Sequence, residues 1–374
     1  MTQRIHLVAA ARPNFMKVAP LWHALAAAGD FAPVLIHTGQ HYDVNMSDAF
    51  FADLALPEPD HHLGVGSGSH AQQTGGVMIA YEKVALDDRP DWLVVVGDVN
   101  STAACAMVAA KLRFPIVHLE AGLRSRDRDM PEEINRLVTD VIADVLWTPS
   151  PDADANLFAE GVAPERISRV GNIMLDSFEL VRPAIEAADA ARRHGLGGSS
   201  YGVVTLHRPS NVDDPATLSA LVDALIAVQR RLPLVFPVHP RTAQCLAVGG
   251  LDRRLEEAGV KLIEPMPYVG FMSLVLGAGA VITDSGGVQE ETTYLGIPCL
   301  TLRANTERPI TVSEGTNRLV TPQSLLGALC EALEAPRRML RRPQFWDGCT
   351  ARRCLDDLRR RSAAPADTLI RRAS

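Results

Sequence analysis

The sequence predicts an α/β protein made of two Rossmann-like, doubly wound domains facing across a cleft. Three observations carry that prediction: short Val/Ile/Leu-rich runs bounded by Gly, Pro or Asp recur along the chain, each is followed by a stretch of helical periodicity, and the central runs, such as 92–96 and 280–282, are continuously apolar rather than alternating. A strand that is apolar at every position is buried on both faces, which requires a parallel sheet with helices on either side. The 374 residues suit two domains of similar size, each with its own core.

In the first half the strand candidates are residues 5–9, 34–38, 92–96, 116–119, 145–148 and 167–170, with helices such as 101–112 and 131–143 between them. In the second half they are 202–206, 234–238, 261–264, 280–283, 299–302 and 318–320. The join is placed after Gly171-Asn172, where a helical segment (173–192) leads into the Gly/Ser cluster at 195–200. This gives a first domain over 1–171, a second over 172–348, and a terminal piece over 349–374 whose helix covers 349–361 and whose last dozen residues are frayed. In doubly wound sheets ligands bind beyond the carboxyl ends of the strands, so chemistry is sought just after each strand.

A formal charge of −7, from 37 basic and 44 acidic side chains, argues against a nucleic-acid partner, which needs a basic face. It leaves room for one small anion in a local pocket. No apolar run approaches the ~18 residues of a membrane span. Residues 5–11 read as a buried first strand rather than a signal segment, because Arg12 and Lys17 follow at once. The six cysteines form no C-x-x-C pair, which argues against a zinc site or disulfide framework and is consistent with a reducing cytoplasm.

The clearest chemical signal is the run from Thr283 to Glu291, Thr-Asp-Ser-Gly-Gly-Val-Gln-Glu-Glu. A strand ends at Asp284 and Gly286 and Gly287 open a helix, so backbone N–H groups and the positive helix end can hold a phosphate. Ser285 adds a hydroxyl, and Glu291, further along, can accept hydrogen bonds from a ribose. The alternative is that the glycines only make a tight turn. Arg12 and Lys17 form a second anion signal: both follow the first strand, Asn14 can cap the helix there, and a cation in a first helical turn opposes the macrodipole, so an anion is needed to repay it.

Acids mark three further strand ends or helix starts. Asp98 follows the run 92–96, Glu120 follows 116–119, and Glu132 with Glu133 opens a helix after Pro131. Acids in a first turn after Pro are ordinary, so Glu132 alone says little. Asp98 and Glu120 end buried strands and need partners. Carboxylates converging on one cleft are equipment for moving protons. In the second half, His207 and Arg208 end the first strand and His239 the next. No two His or Cys fall at metal-ligand spacing on one helix face, no G-x-G-x-x-G follows the first strand, and no G-x-S-x-G elbow leads from a strand candidate into a helix, so neither metal, nicotinamide nor serine-hydrolase chemistry is indicated.

Taken together, Ala11-Arg12-Pro13 with Lys17, Gly39-Gln40-His41, Gly97-Asp98, the run from His118 to Arg124, the run from Pro131 to Arg136, Thr205-Leu206-His207-Arg208, Asp284-Ser285-Gly286-Gly287 with Glu290-Glu291, and Thr306-Glu307-Arg308-Pro309 resemble the non-hydrolysing UDP-N-acetylglucosamine 2-epimerases. The match runs in order from residue 1 to about 335. The resemblance implies a GT-B-like pair of domains, a UDP-sugar substrate, no cofactor or metal, and a homodimer. It implies removal of the carbon-2 proton, loss of UDP to give 2-acetamidoglucal, and re-addition with the proton on the other face. By position it makes Asp98, Glu120 and Glu132 the acid–base groups and puts His207 near the leaving diphosphate. Arg12, Lys17, Ser285, Gly286 and Gly287 resemble the residues around the diphosphate, Glu291 the ribose-binding acid, Arg308 another substrate contact, and Phe271 the aromatic at the uracil end.

Some members read Gln-His-Arg-Glu or Gln-His-Arg-Gln where this chain has Gln40-His41-Tyr42-Asp43, His-Arg-Arg-Glu where it has His207-Arg208-Pro209-Ser210, and Gln where it has Met266. The first two segments lie near a second, activating nucleotide sugar in certain members. The version at 39–43 also resembles branch members acting on 2,3-diacetamido uronic acid sugars. A hydrolysing epimerase releasing free N-acetylmannosamine, a glycosyltransferase and a non-catalytic nucleotide-sugar sensor remain alternatives. The last two have no use for carboxylates aimed at a carbon–hydrogen bond.

Overall fold

In the computed structural model, which describes residues 2–39, 54–198, 200–334 and 342–363, the strands pair in parallel and form two sheets. The first contains β1 (Gln3–Ala9), β2 (Phe31–His37), β3 (His61–His62), β4 (Trp92–Val96), β5 (Ile116–Leu119), β6 (Val145–Thr148) and β7 (Ile167–Arg169), in the order β3-β2-β1-β4-β5-β6-β7. The second contains β8 (Gly202–Thr205), β9 (Leu234–Pro237), β10 (Lys261–Ile263), β11 (Ala280–Thr283), β12 (Cys299–Thr301) and β13 (Asn317–Leu319), in the order β10-β9-β8-β11-β12-β13. Each is the doubly wound order expected from the sequence. Winding reverses between β1 and β4 in one sheet and between β8 and β11 in the other, which places ligand sites at those carboxyl ends.

Register turns sequence into neighbourhood. Val96 pairs with Leu119, so Gly97-Asp98 leave their strand beside Glu120. Thr283 pairs with Thr205, so Asp284 lies beside Leu206-His207. The central strands are buried along their length, as their apolar runs demand; β4 is buried at every residue. The alanine-rich helix Asn100–Leu112 is nearly as buried, because small side chains let it pack between the helices His70–Asp87 and Pro131–Ile142.

One compact unit comprises Met1–Leu180 with Gln344–Ser374 and the other Val181–Pro343. The expected break after Gly171-Asn172 therefore falls earlier than the change of unit, which occurs inside the helix Ile173–Ala188. The terminal helix Thr350–Ser362, expected as a separate piece, is built into the first unit. Asp176 accepts hydrogen bonds from Thr350 N (3.0 Å) and Ala351 N (2.8 Å), capping it. Asp357 accepts one from Trp147 Nε1 at 2.7 Å, and Trp346 Nε1 donates to the Pro149 carbonyl at 3.0 Å. Gly171 is required here: its φ is +100°, and a Cβ would lie 2.2 Å from the Phe345 carbonyl oxygen. Residues 40–43 and the tail beyond 363, both singled out in the sequence, lie outside the described residues. No described helix is long and apolar enough to cross a membrane.

Candidate functional site

At the carboxyl end of the first sheet three chain segments meet. The helix Arg12–Ala28 begins at Arg12, so Asn14 lies inside its first turn rather than at the cap position expected. Its side chain accepts from Ala11 N at 3.1 Å and donates to the Val96 carbonyl at 3.2 Å, tying the helix start to the end of β4. The Arg12 side chain lies outside what is described. Lys17, one turn on, is ion-paired with Glu120, and both side chains are largely buried. Lys17 therefore stands in the second turn rather than the first, and its counter-charge is supplied within the protein by the acid at the end of β5.

Backbone geometry is unusual at this point. Gly97 has φ +67°, and a Cβ there would sit 3.3 Å from Lys17 Nζ and 3.5 Å from Glu120 Oε2. Glu120 itself has φ +68°, a left-handed conformation that a non-glycine residue keeps only when its surroundings impose it. Asp98, about one-third exposed, is ion-paired with Arg136, and its carbonyl accepts from Asn135 Nδ2 at 2.9 Å.

Further partners for these strand ends come from the helix Pro131–Ile142. Its buried face carries Glu133, Arg136 and Asp140. Glu133 accepts from Ser125 N, Ser125 Oγ and Arg126 N, each at 2.9 Å, and from Arg136 at 2.8 Å. Burial pushes its carboxyl up, but these hydrogen bonds outweigh burial and hold it below the ordinary carboxylate range. Asp140 accepts from His118 Nδ1 at 2.6 Å and Gly122 N at 3.0 Å and pairs with Arg124 at 2.7 Å. The other ring nitrogen of His118 donates to the Gly97 carbonyl at 2.8 Å. Both ring nitrogens thus face acceptors, and the imidazole ties the turn before Asp98 to the strand before Glu120. Glu132, on the same helix, is exposed and has no partner among the described residues. Sequence reading missed Asp140 altogether; its signal was a charged residue on the buried side of an amphipathic helix.

The second unit has its own site at the ends of β8, β11 and β12. Asp284 is fully buried and acts as a clamp: it accepts from His207 N (3.0 Å), Arg208 N (2.9 Å) and Asn211 Nδ2 (3.1 Å), and pairs with His207 Nδ1 at 3.1 Å. Nδ1 is so engaged, and the His207 ring is partly exposed, which leaves Nε2 without a hydrogen-bond partner among the described residues. Ser285 precedes the helix Gly286–Leu295, and its hydroxyl makes no hydrogen bond among the described residues. Neither glycine has positive φ, so a tight turn is not what requires them. A Cβ on Gly286 would meet Glu307 Oε1 at 2.7 Å and Arg308 at 3.2 Å, whereas one on Gly287 would meet nothing within 4 Å. Gly287 leaves open space over a helix N-terminus, the surroundings an anion prefers.

Charged side chains of both signs gather at that end. Arg308 is held by Glu290 and Glu307, each at 2.8 Å, and Arg303 by Glu307 at 2.9 Å. Burial alone would raise Glu307, yet the two arginines drive its carboxyl down to about 2. Burial, with Arg303 and Arg308 close by, pushes the Arg208 guanidinium down from its ordinary value. Arg303 was not among the residues the sequence singled out.

Glu291 is buried one turn further along the same helix and accepts from the Tyr268 hydroxyl at 2.6 Å. Tyr268, also missed, opens the helix Tyr268–Leu276 that carries the half-buried Phe271. Burial, only partly offset by the Tyr268 hydrogen bond, raises Glu291 from 4.5 to about 7. A raised native value means the folded state keeps a proton that the unfolded chain has lost, so this group's contribution to stability falls as pH rises from about 4.5 to about 7 and is constant above. Glu291→Gln removes that penalty: its melting temperature gains on the parent between pH 5 and pH 8 and matches it near pH 4. An equal gap across that range in a thermal-melt series contradicts the raised value.

The model of a family described as UDP-N-acetylglucosamine 2-epimerase matches residues 23–359. A UDP-N-acetylglucosamine 2-epimerase of Methanococcus maripaludis is 39% identical over 348 residues, 89% of this chain and 93% of that protein. A UDP-2,3-diacetamido-2,3-dideoxy-D-glucuronate 2-epimerase of Pseudomonas aeruginosa is 40% identical over 321 residues, 85% of this chain and 88% of that protein. Among solved structures, that of Methanocaldococcus jannaschii UDP-GlcNAc 2-epimerase in complex with UDP-GlcNAc and UDP is similar, with a TM-score of 0.84 and 38% identity, covering 96% of this chain and 99% of that one.

Proposed function

The chain belongs to the UDP-N-acetylglucosamine 2-epimerase family, and from that premise we propose that it interconverts UDP-N-acetylglucosamine and UDP-N-acetylmannosamine without hydrolysis. One observation carries the reading: Glu120 is buried at a strand end in a left-handed conformation, paired with Lys17 and beside the turn that leads to Asp98. A carboxylate kept there at such conformational cost suits proton transfer better than packing.

In this reading Asp98, Glu120 and Glu132 serve proton transfer at carbon 2. A carboxylate takes the carbon-2 proton, the electron pair forms the carbon 1–carbon 2 double bond, and UDP leaves with the glycosidic pair. UDP then returns to carbon 1 while a carboxyl gives a proton to the opposite face of carbon 2. The helix N-terminus at Ser285, Gly286 and Gly287, with His207 Nε2 and Arg308, holds the diphosphate and favours its departure. Arg12 and Lys17 add positive charge for the substrate, Glu291 takes the ribose and Phe271 the uracil. The six free cysteines support a reducing, cytoplasmic setting. A homodimer is part of this proposal, resting on the resemblance alone; light scattering measures it.

The test is proton NMR of the purified protein with UDP-N-acetylglucosamine in deuterium oxide. Deuterium at carbon 2 together with UDP-N-acetylmannosamine is expected. Free N-acetylmannosamine with UDP assigns the chain to hydrolysing enzymes instead. A second reading, the 2-epimerisation of a UDP-diacetamido uronic acid sugar, is favoured by the equal likeness to the Pseudomonas aeruginosa protein. It gains if only that sugar exchanges.

A further inference from the structure

We infer that Tyr268 is a positioning residue for nucleotide recognition, acting through Glu291 to set how the ribose is read; the inference rests on the proposed assignment of Glu291 to the ribose. Glu291 and Tyr268 lie on different helices, Gly286–Leu295 and Tyr268–Leu276, and the 2.6 Å hydrogen bond from the phenol to Glu291 Oε1 joins them. The bond occupies one carboxyl oxygen and fixes the rotation of the side chain. The remaining oxygen is then aimed in one direction, which a flexible glutamate would not be.

The same bond sets a spacing. Phe271 is three residues beyond Tyr268, on the same helical face, so the aromatic assigned to the base and the acid assigned to the sugar are referenced to one another through the phenol. Glu291 lies five residues beyond Gly286, about 7.5 Å along the helix axis. That separation places it beyond the N-terminus assigned to the diphosphate, toward the nucleoside. Glu290, the other acid facing this carboxyl, is engaged by Arg308, so the tyrosine is the hydrogen-bond donor that the structure gives Glu291. Burying a carboxyl so completely is costly unless its partner and its ligand both use it.

Tyr268→Phe removes one oxygen and keeps the ring. Calorimetric titration of the whole protein with UDP and with 2′-deoxyuridine 5′-diphosphate separates positioning from general damage, because a loosened fold weakens both ligands alike. The parent is expected to favour UDP by at least about tenfold, the worth of a hydrogen bond to a charged group. Tyr268→Phe is expected to lose most of that preference, and in turnover to raise KM with kcat within about twofold. Its affinity for UDP is expected to depend on pH with the limb displaced upward, since the phenol favours the ionised carboxyl. Glu291→Gln and the double variant Tyr268→Phe/Glu291→Gln are expected to discriminate equally poorly, because the tyrosine acts only through the acid. Full discrimination in Tyr268→Phe, or additive losses in the double variant, overturns the inference. A parent that binds UDP but not preferentially over the deoxy analogue overturns it too. A parent that fails to bind UDP at all overturns the underlying reading instead.

Discussion

Replacing Glu120 by Gln lowers carbon-2 proton exchange by about 10²–10⁴-fold, the usual worth of a positioned acid or base, with UDP affinity within about threefold of the parent. Glutamine is nearly isosteric and can still accept from Lys17, so the left-handed backbone at residue 120 has no new reason to relax. What is removed is the ability to take a proton. The loss therefore belongs in kcat, the signature of an interaction used in the transition state and not in the ground state. The substitution also leaves the Lys17 ammonium facing a neutral amide. A thermal melt separates the two effects: a melting temperature near the parent's with exchange gone assigns the loss to chemistry. Exchange at the parent's rate in deuterium oxide, with the protein folded, removes Glu120 from the mechanism and with it the observation on which the function is argued.

The placement of Glu120 shows which parts of this protein the sequence carries openly. Strands such as β4 and β11 are legible because two-sided burial demands an unbroken apolar run, and the residue that ends such a run is automatically at the rim of the sheet. Asp98, Glu120, His207 and Ser285 were reachable in this way. β3 was not: it is two histidines, and only pairing with Ile36 and His37 makes it a strand. The domain boundary was obscured for a similar reason, since the helix Ile173–Ala188 runs on through the change of unit without a break, even past Pro183. The capping of the terminal helix by Asp176 joins residues far apart in the chain, which periodicity does not report.

The site shows the same division more sharply. Residues that present chemistry outward were named from their place after a strand, whereas those that hold them in place were not. Lys17 was read as a cation waiting for a ligand, and the structure gives it Glu120. Glu132 and Glu133 looked alike in sequence, yet one is exposed and the other buried among backbone donors. Tyr268, Arg303 and Asp140 act through partners on other elements, and only three-dimensional proximity reveals them.

Asp140 therefore carries the second large effect, on stability as well as activity. Its carboxylate is buried and serves His118, Gly122 and Arg124, two of them bearing side chains that are themselves almost wholly buried. Asp140→Asn keeps one acceptor oxygen, turns an N–H donor toward one of three donors, and strips Arg124 of an interior counter-charge. Arg124 keeps its two hydrogen bonds to Glu160, at 2.8 and 2.6 Å, so the cost is that of weakened charged hydrogen bonds in the interior, about 1.5–3 kcal/mol, rather than that of an unpaired buried charge. For a unit of this size that corresponds to a drop in melting temperature of roughly 5–10 °C. Burial raises the native carboxyl and the His118 and Arg124 charges lower it further than that, so the net shift is downward. The parent's advantage is thus fully present above the ordinary aspartate value and is lost as pH falls through the depressed native one. The gap between parent and variant should hold from pH 5 to pH 8 and close in strong acid. Because His118 also holds the Gly97 carbonyl, whatever folded variant remains is expected to show a lower kcat with little change in KM, through slackened spacing between Asp98 and Glu120. A variant that melts within about 2 °C of the parent at pH 7 and turns over normally would show that the helix 131–142 is packing alone and that the acids keep their places without it.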